Sequence, residues 1–184
     1  VPAIAAILCI FSGDRLARLI ALGATLLNLA LGIVLWRGFN VGGEQWQYVE
    51  RADLFGRFQY ALGIDGLALM LILLTAFLMP LCILASWQAI KKRVGLYMGM
   101  FLLMETIVIG VFAAQDLILF YIFFEAALIP MYFIIGIWGG DNRKYAAFKF
   151  FLYTLLGSVL MLIAMIVMIQ TAGTSDITAL LNYD

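Results

Sequence analysis

The chain has 184 residues, 66% of them hydrophobic and 12% charged, with a formal net charge of +0. Its mean hydropathy is +1.09, whereas a water-soluble domain is about 45–50% apolar and about 25% charged, so a soluble globule with a single buried core is excluded and an integral membrane protein is implied. Basic residues fall in short separated groups, which leaves no footprint for nucleic acid. There is no His, and Cys9 and Cys82 each stand alone in an apolar run. Haem, iron–sulfur and zinc sites need clusters of such ligands, so no cofactor or metal is expected on this chain, and the two Cys read as small buried hydrophobes.

Val1 to Phe11 is apolar but about half the length of a span, and it lacks the positively charged start of a signal peptide. The numbering is expected to open inside a first transmembrane helix. Ser12 to Arg15 is a polar turn, and Leu16 to Trp36 forms a second span. Arg37 to Gly63 is the one sizeable polar segment, with Gly42-Gly43, Glu44, Glu50, Arg51, Asp53 and Arg57, and it reads as a solvated loop. Asp65 is placed to cap a third span, Gly66 to Trp87, inside which Pro80 removes one backbone bond.

Lys91-Lys92-Arg93 marks the next boundary, and a fourth span runs from about Val94 to Ala114. The turn Ala114-Gln115-Asp116 is short enough to force an antiparallel helix hairpin. The fifth span, Leu117 to Gly139, is followed by the turn Gly140 to Lys144 and a sixth span, Tyr145 to Gln170; Thr171 to Asp184 is polar and mixed. Trp36, Trp46, Trp87 and Trp138 fall near segment ends, where an amphipathic ring anchors at headgroup depth.

Loops alternate sides of the membrane, which groups Arg15, Arg18, Lys91 to Arg93, Arg143, Lys144 and Lys149 on one side. Arg37, Arg51 and Arg57 fall on the other, in the longer loop. Because positive charge stays cytoplasmic, the 37–63 loop, Gln115-Asp116 and the C-terminal end are expected outside. The predicted fold is all-α, a polytopic transmembrane helix bundle of about six spans forming one transmembrane domain over residues 1–184, with the first span truncated.

Two acids interrupt the apolar runs. Glu125 lies roughly nine residues into the fifth span, which at about 1.5 Å per residue is near mid-membrane. Ionisable groups at that depth are costly and face a partner or an internal water path. Glu105 interrupts the fourth span at about the same distance from the Gln115-Asp116 turn, so the hairpin puts both carboxyls at one level. Desolvation favours a protonated acid and a nearby cation reverses this, so a buried carboxyl with a movable cationic partner is a proton site. Lys149, near the start of the sixth span, is the candidate cation, although its depth leaves about 12 Å to Glu125 and calls for a bridge. Pro130 takes the hydrogen bond from the carbonyl of Ala126 and loosens the turn beside Glu125. Thr154, Gly157 and Ser158 form a small-residue patch expected to pack another helix closely.

Three runs now stand together: YALGIDGLALMLILLT from Tyr60, IGVFAAQDLILFYIFFEAALIPMYFIIGIWGG ending at Gly140, and R-x-YAAFKFFLYTLLGS from Arg143 to Ser158. Over about Tyr60 to Met168 the chain resembles the membrane subunit M family of respiratory NADH:quinone oxidoreductase, complex I, homologous to mitochondrial chain 4. The resemblance implies an antiporter-like, proton-translocating subunit with no redox centre of its own, in which residues 94–170 begin the proton-channel repeat. It also implies other complex I membrane subunits as partners, NADH and quinone bound by those other subunits, and a place in a bacterial plasma membrane or mitochondrial inner membrane. It makes Glu125 the principal channel acid, Glu105 its companion, and Lys149 part of the family's sixth-helix motif. Such subunits have about fourteen spans in inverted repeats with ion sites on broken helices, so the resemblance also implies a piece that stops short of the lysine normally paired with the fifth-helix glutamate. Rival readings are a subunit of a multisubunit Na⁺/H⁺ antiporter, and a structural subunit whose protonated acids hold helices together.

Overall fold

The computed structural model describes residues 1–40, 42–55 and 58–181. Arg57, grouped above with the basic residues of the long loop, and the last three residues of the polar tail lie outside the described residues. Among the described residues, eight helices and one hairpin follow in order: α1 Pro2–Phe11, α2 Asp14–Gly38, β1 Gln47–Phe55, β2 Phe58–Ile64, α3 Gly66–Ala85, α4 Val94–Ala113, α5 Leu117–Ala126, α6 Leu128–Trp138, α7 Arg143–Ala172 and α8 Ile177–Leu181. Four of the helices, and α5 with α6 taken together, are long and apolar enough to cross a membrane; α1 is apolar but short.

Local chemistry sets these boundaries. Asp14 stands in the first turn of α2 and Arg37 in its last, each matched to the helix dipole. Asp65 caps α3 as expected, accepting from the backbone N–H of Ala68 at 2.7 Å. At α5 the same task falls to Asp116, whose Oδ1 accepts from Ile118 at 2.9 Å and Leu119 at 3.0 Å. α7 stops at Gly173, whose φ of 73° is the left-handed turn that glycine adopts without a Cβ clash.

The fifth span is not continuous. It breaks at Ala127, so α5 and α6 share one span but not one hydrogen-bond ladder. Pro130, buried in the first turn of α6, is the cause: without an N–H it leaves the carbonyl of Ala126 without its helical donor. The loosened turn expected beside Glu125 is therefore present as a break.

The described part of the 37–63 segment holds more order than a solvated loop. Gln47–Phe55 and Phe58–Ile64 pair as an antiparallel hairpin, with Glu50 opposite Leu62 and Arg51 opposite Ala61. The loop reading fails here because Tyr48, Val49, Phe58 and Tyr60 carry strand propensity, while the neighbouring glycines and charges dominate the composition. The hairpin ties the bundle together at one end: Gln115 N–H donates to the carbonyl of Ala61, Ile177 N–H to that of Gln115, and Leu117 N–H to that of Ser175, each at 2.9 Å. The hydroxyl of Ser175 also donates to Asp116.

The core lies among α1, α2, the end of α3 and α4, around Cys9, Ala17, Ala21, Ile83, Met98 and Leu102. Cys9 is fully buried, as expected, and Cys82 partly so. Without a hydrophobic gradient between lipid and protein, helices in a membrane associate by close packing at small residues. Here α1 lies against Gly95 and Gly99 of α4: a Cβ at Gly95 would stand 2.5 Å from the carbonyl oxygen of Cys9, and one at Gly99 3.0 Å from that of Ala6. The patch expected on α7 divides. Ser158 is buried at 3% exposure, whereas Gly157 is exposed and faces open space, because adjacent helical positions are turned about 100° apart.

Candidate functional site

Glu105 lies in the middle of α4 and is 0% exposed. Its Oε1 accepts a 2.7 Å hydrogen bond from Nδ2 of Asn28 on α2. Its Oε2 is buried without a partner. An amide nitrogen only donates, so Oε1 is committed as an acceptor and a proton carried by this acid sits on Oε2. The bond crosses from α2 to α4, fully buried at Glu105 and partly exposed at Asn28.

Glu125 occupies the last turn of α5. It is half-buried, and its Oε1 is enclosed without a partner. Tyr121, one turn earlier on the same helix face, interacts with both Glu125 and Ser158 of α7. Tyr121, Glu125 and Ser158 thus lie near one another, and the Ser158 hydroxyl donates to the carbonyl of Leu155 at 2.9 Å. The break at Ala127 begins two residues beyond the acid. Carboxyl oxygens without fixed partners, beside interrupted backbone, can accept and release a proton with little rearrangement of the fold.

The structure brings the predicted residues together only in part. α4 and α5 fold back about Gln115-Asp116 and pack so closely that a Cβ at Gly110 would stand 2.8 Å from the ring of Phe123. The two acids have different neighbours, Asn28 for Glu105 and Tyr121 for Glu125. Lys149 is exposed on α7, its Nζ lying 5.7 Å from the Tyr145 ring centroid and 5.9 Å from that of Tyr153. Among the described residues the ion pair is Arg51 with Asp176, at 3.9 Å, and none joins Lys149 to a glutamate. Asn28 and Tyr121 are the residues that sequence reasoning missed. A lone Asn in an otherwise Leu- and Ala-rich span carries the signal for the first; Tyr121 has only its spacing of four from Glu125.

These features define a multi-pass integral membrane protein with buried acids on adjacent helices, the architecture of antiporter-like membrane subunits. Residues 114–184 match the family described as NADH:quinone oxidoreductase/Mrp antiporter, TM. Residues 45–113 match NADH-ubiquinone oxidoreductase chain 4, amino terminus. NADH-quinone oxidoreductase subunit M of Rhodobacter capsulatus is 52% identical over 94% of this chain and 34% of the relative. NADH-ubiquinone oxidoreductase chain 4 of Arabidopsis thaliana is 43% identical over 98% of this chain and 38% of the relative. Among solved structures, respiratory complex I from Thermus thermophilus with bound NADH contains a chain that superposes with a TM-score of 0.84 at 30% identity, over 98% of this chain and 37% of that one. The Mrp complex from Dietzia sp. shares the fold with a TM-score of 0.86 at 17% identity, over 100% of this chain and 20% of that one. The chain belongs to the subunit M and chain 4 family of NADH:quinone oxidoreductase, and it spans about a third of the length of the curated relatives it matches.

Proposed function

We propose that this chain contributes to proton translocation within NADH:quinone oxidoreductase, as part of an antiporter-like membrane subunit that binds neither NADH nor quinone and holds no redox centre. Other membrane subunits of the complex are its partners, and those that carry the redox chemistry drive it. The observation that carries this reading is Glu125, half-buried with one enclosed and unpartnered oxygen, two residues before the break at Ala127. In this reading Glu125 holds and releases the proton and Glu105, steadied by Asn28, is a second station on α4. Lys149 supplies a cation that a hydrated path has to reach, since it makes no direct contact with either acid.

The test is proton pumping in sealed membrane vesicles by the intact complex, with assembly checked on a native gel. Glu125→Gln is expected to abolish pumping in an assembled complex while Glu125→Asp largely keeps it. Normal pumping by Glu125→Gln would make the acid a structural hydrogen-bonding group. Sodium-dependent transport without quinone reduction would favour an Mrp-type antiporter, which the shared fold supports as the second reading.

A further inference from the structure

One cluster of charge plays no part in the proton path. The turn between α3 and α4 and the turn between α6 and α7 meet across a cleft of about 600 Å³ at the bundle end opposite the hairpin, and five cationic side chains line it: Lys91, Lys92, Arg93, Arg143 and Lys144. No acid lines this cleft; Asp141 stands on the same α6–α7 turn, two residues before Arg143, and lines an adjoining hollow with Arg143 and Lys144. None of the five forms an ion pair among the described residues. All five are exposed, and like charges on two facing turns favour an anion between them.

The cleft is also braced. Nη2 of Arg18 donates to the carbonyl of Ile90 at 2.9 Å, and Nε1 of Trp138 donates to the carbonyl of Lys92 at 2.9 Å. Two long-range bonds thus hold the backbone that carries the first three cations. Arg93 itself has φ 52° and ψ 45°, a left-handed conformation that a side-chain-bearing residue keeps only when its surroundings impose it. α4 and α7 both begin at this cleft, so their free N–H groups add to the positive field.

The location selects the anion. α3 ends at Ala85 and α6 at Trp138, which puts the cations where apolar spans give way to water, with an indole at headgroup depth. Ile90, Ile137 and Trp138 form an apolar wall beside the charges. A free anion would use the cations alone; a phospholipid would use both surfaces, its phosphate among the cations and its glycerol and acyl chains along the wall. We propose that this cleft is a headgroup site for an anionic phospholipid, held by Lys91, Lys92 and Arg93 from one turn and by Arg143 and Lys144 from the other. The proposal depends on the chain spanning a membrane and not on the proton-path reading.

The test uses the intact, detergent-solubilised complex mixed with phosphatidylcholine vesicles containing phosphatidylglycerol that bears a photoreactive acyl chain, with labelled peptides located by mass spectrometry. Labelling is expected at residues 86–100 and 133–150, and to fall roughly fivefold for each cation replaced in the series Lys91→Gln, Lys92→Gln, Arg93→Gln. Lys91→Arg with Lys92→Arg should keep it, as should Arg51→Gln at the far end of the bundle. Equal labelling of wild-type complex by photoreactive phosphatidylcholine would overturn the proposal and needs no variant to assemble. Displacement of the lipid by inorganic phosphate at a matched phosphate concentration would overturn it too, since the site would then recognise a free anion.

Discussion

Replacing Asn28 by Leu isolates the bond that fixes Glu105. The substitution removes the 2.7 Å donor from Oε1, and since Oε2 already has no partner, both carboxyl oxygens are left unpaired in the core. A hydrogen bond between neutral groups of membrane helices is worth on average about 0.6 kcal/mol and at most about 1.7. One to an ionised carboxylate is worth about 1.5–3 kcal/mol. If Glu105 cycles through its carboxylate, Asn28→Leu should therefore slow proton transfer about tenfold or more, with quinone reduction measured alongside in assembled complex. The decisive comparison is the same substitution on a Glu105→Gln background. Gln keeps a carbonyl acceptor for Asn28 but cannot ionise, so no further loss of pumping is expected there. Pumping at the wild-type rate in Asn28→Leu, or a full additional loss on the Glu105→Gln background, would refute the assignment and leave Asn28 as a packing residue.

Pro130→Ala restores an N–H for the carbonyl of Ala126; hydrogen exchange at the neighbouring amides should slow by about tenfold, the effect of one added backbone bond, and unchanged exchange would mean that Pro130 does not cause the break. Gly95→Ala puts a methyl 2.5 Å from the carbonyl oxygen of Cys9 and should cost about 1–3 kcal/mol, visible as a lowered midpoint of thermal denaturation. Gly136→Ala, where the nearest atom would be 3.6 Å away, should leave that midpoint nearly unmoved. Asp116→Ala deletes the cap of α5 and the acceptor of Ser175, a loss of about 1–2 kcal/mol; limited proteolysis between α7 and α8 should quicken, while Asp116→Asn, which still caps, should resist.

The spans were legible because lipid permits few alternatives: long apolar runs separated by charged turns have to be helices. Glu105 and Glu125 stood out for the same reason, since a carboxyl inside such a run is rare, and the break at Ala127 could be anticipated from Pro130. Asn28 did not stand out, because an uncharged polar side chain in a span is common and its meaning depends on the helix it faces. Rotation of α2 toward α4 decides that, and no spacing along α2 reports it. Tyr121 is similar: an aromatic in an aromatic-rich helix is unremarkable until Ser158 is brought opposite. The hairpin was hidden for another reason. Neither strand alternates cleanly, and their order depends on pairing with each other and with Ala114. Lys149 was legible as a cation near the start of its span, and its exposed position beside the Tyr145 and Tyr153 rings followed from the rotation of α7, which no spacing reports.

The backbone bonds from Ala61 to Gln115, from Gln115 to Ile177 and from Ser175 to Leu117 divide the fifth span mechanically. Its first half, α5, is clamped at the hairpin end to the start of α8 and to the end of α4, so Glu125 and Tyr121 ride on a fixed post. Its second half, α6, continues past the loosened turn at Ala127, packs against α7 and α4, and is tied at its far end to the turn before α4 by the Trp138–Lys92 bond. Both ends of the span are thus anchored, and the loosened turn at Ala127, two residues past Glu125, is the point between them where the backbone can give.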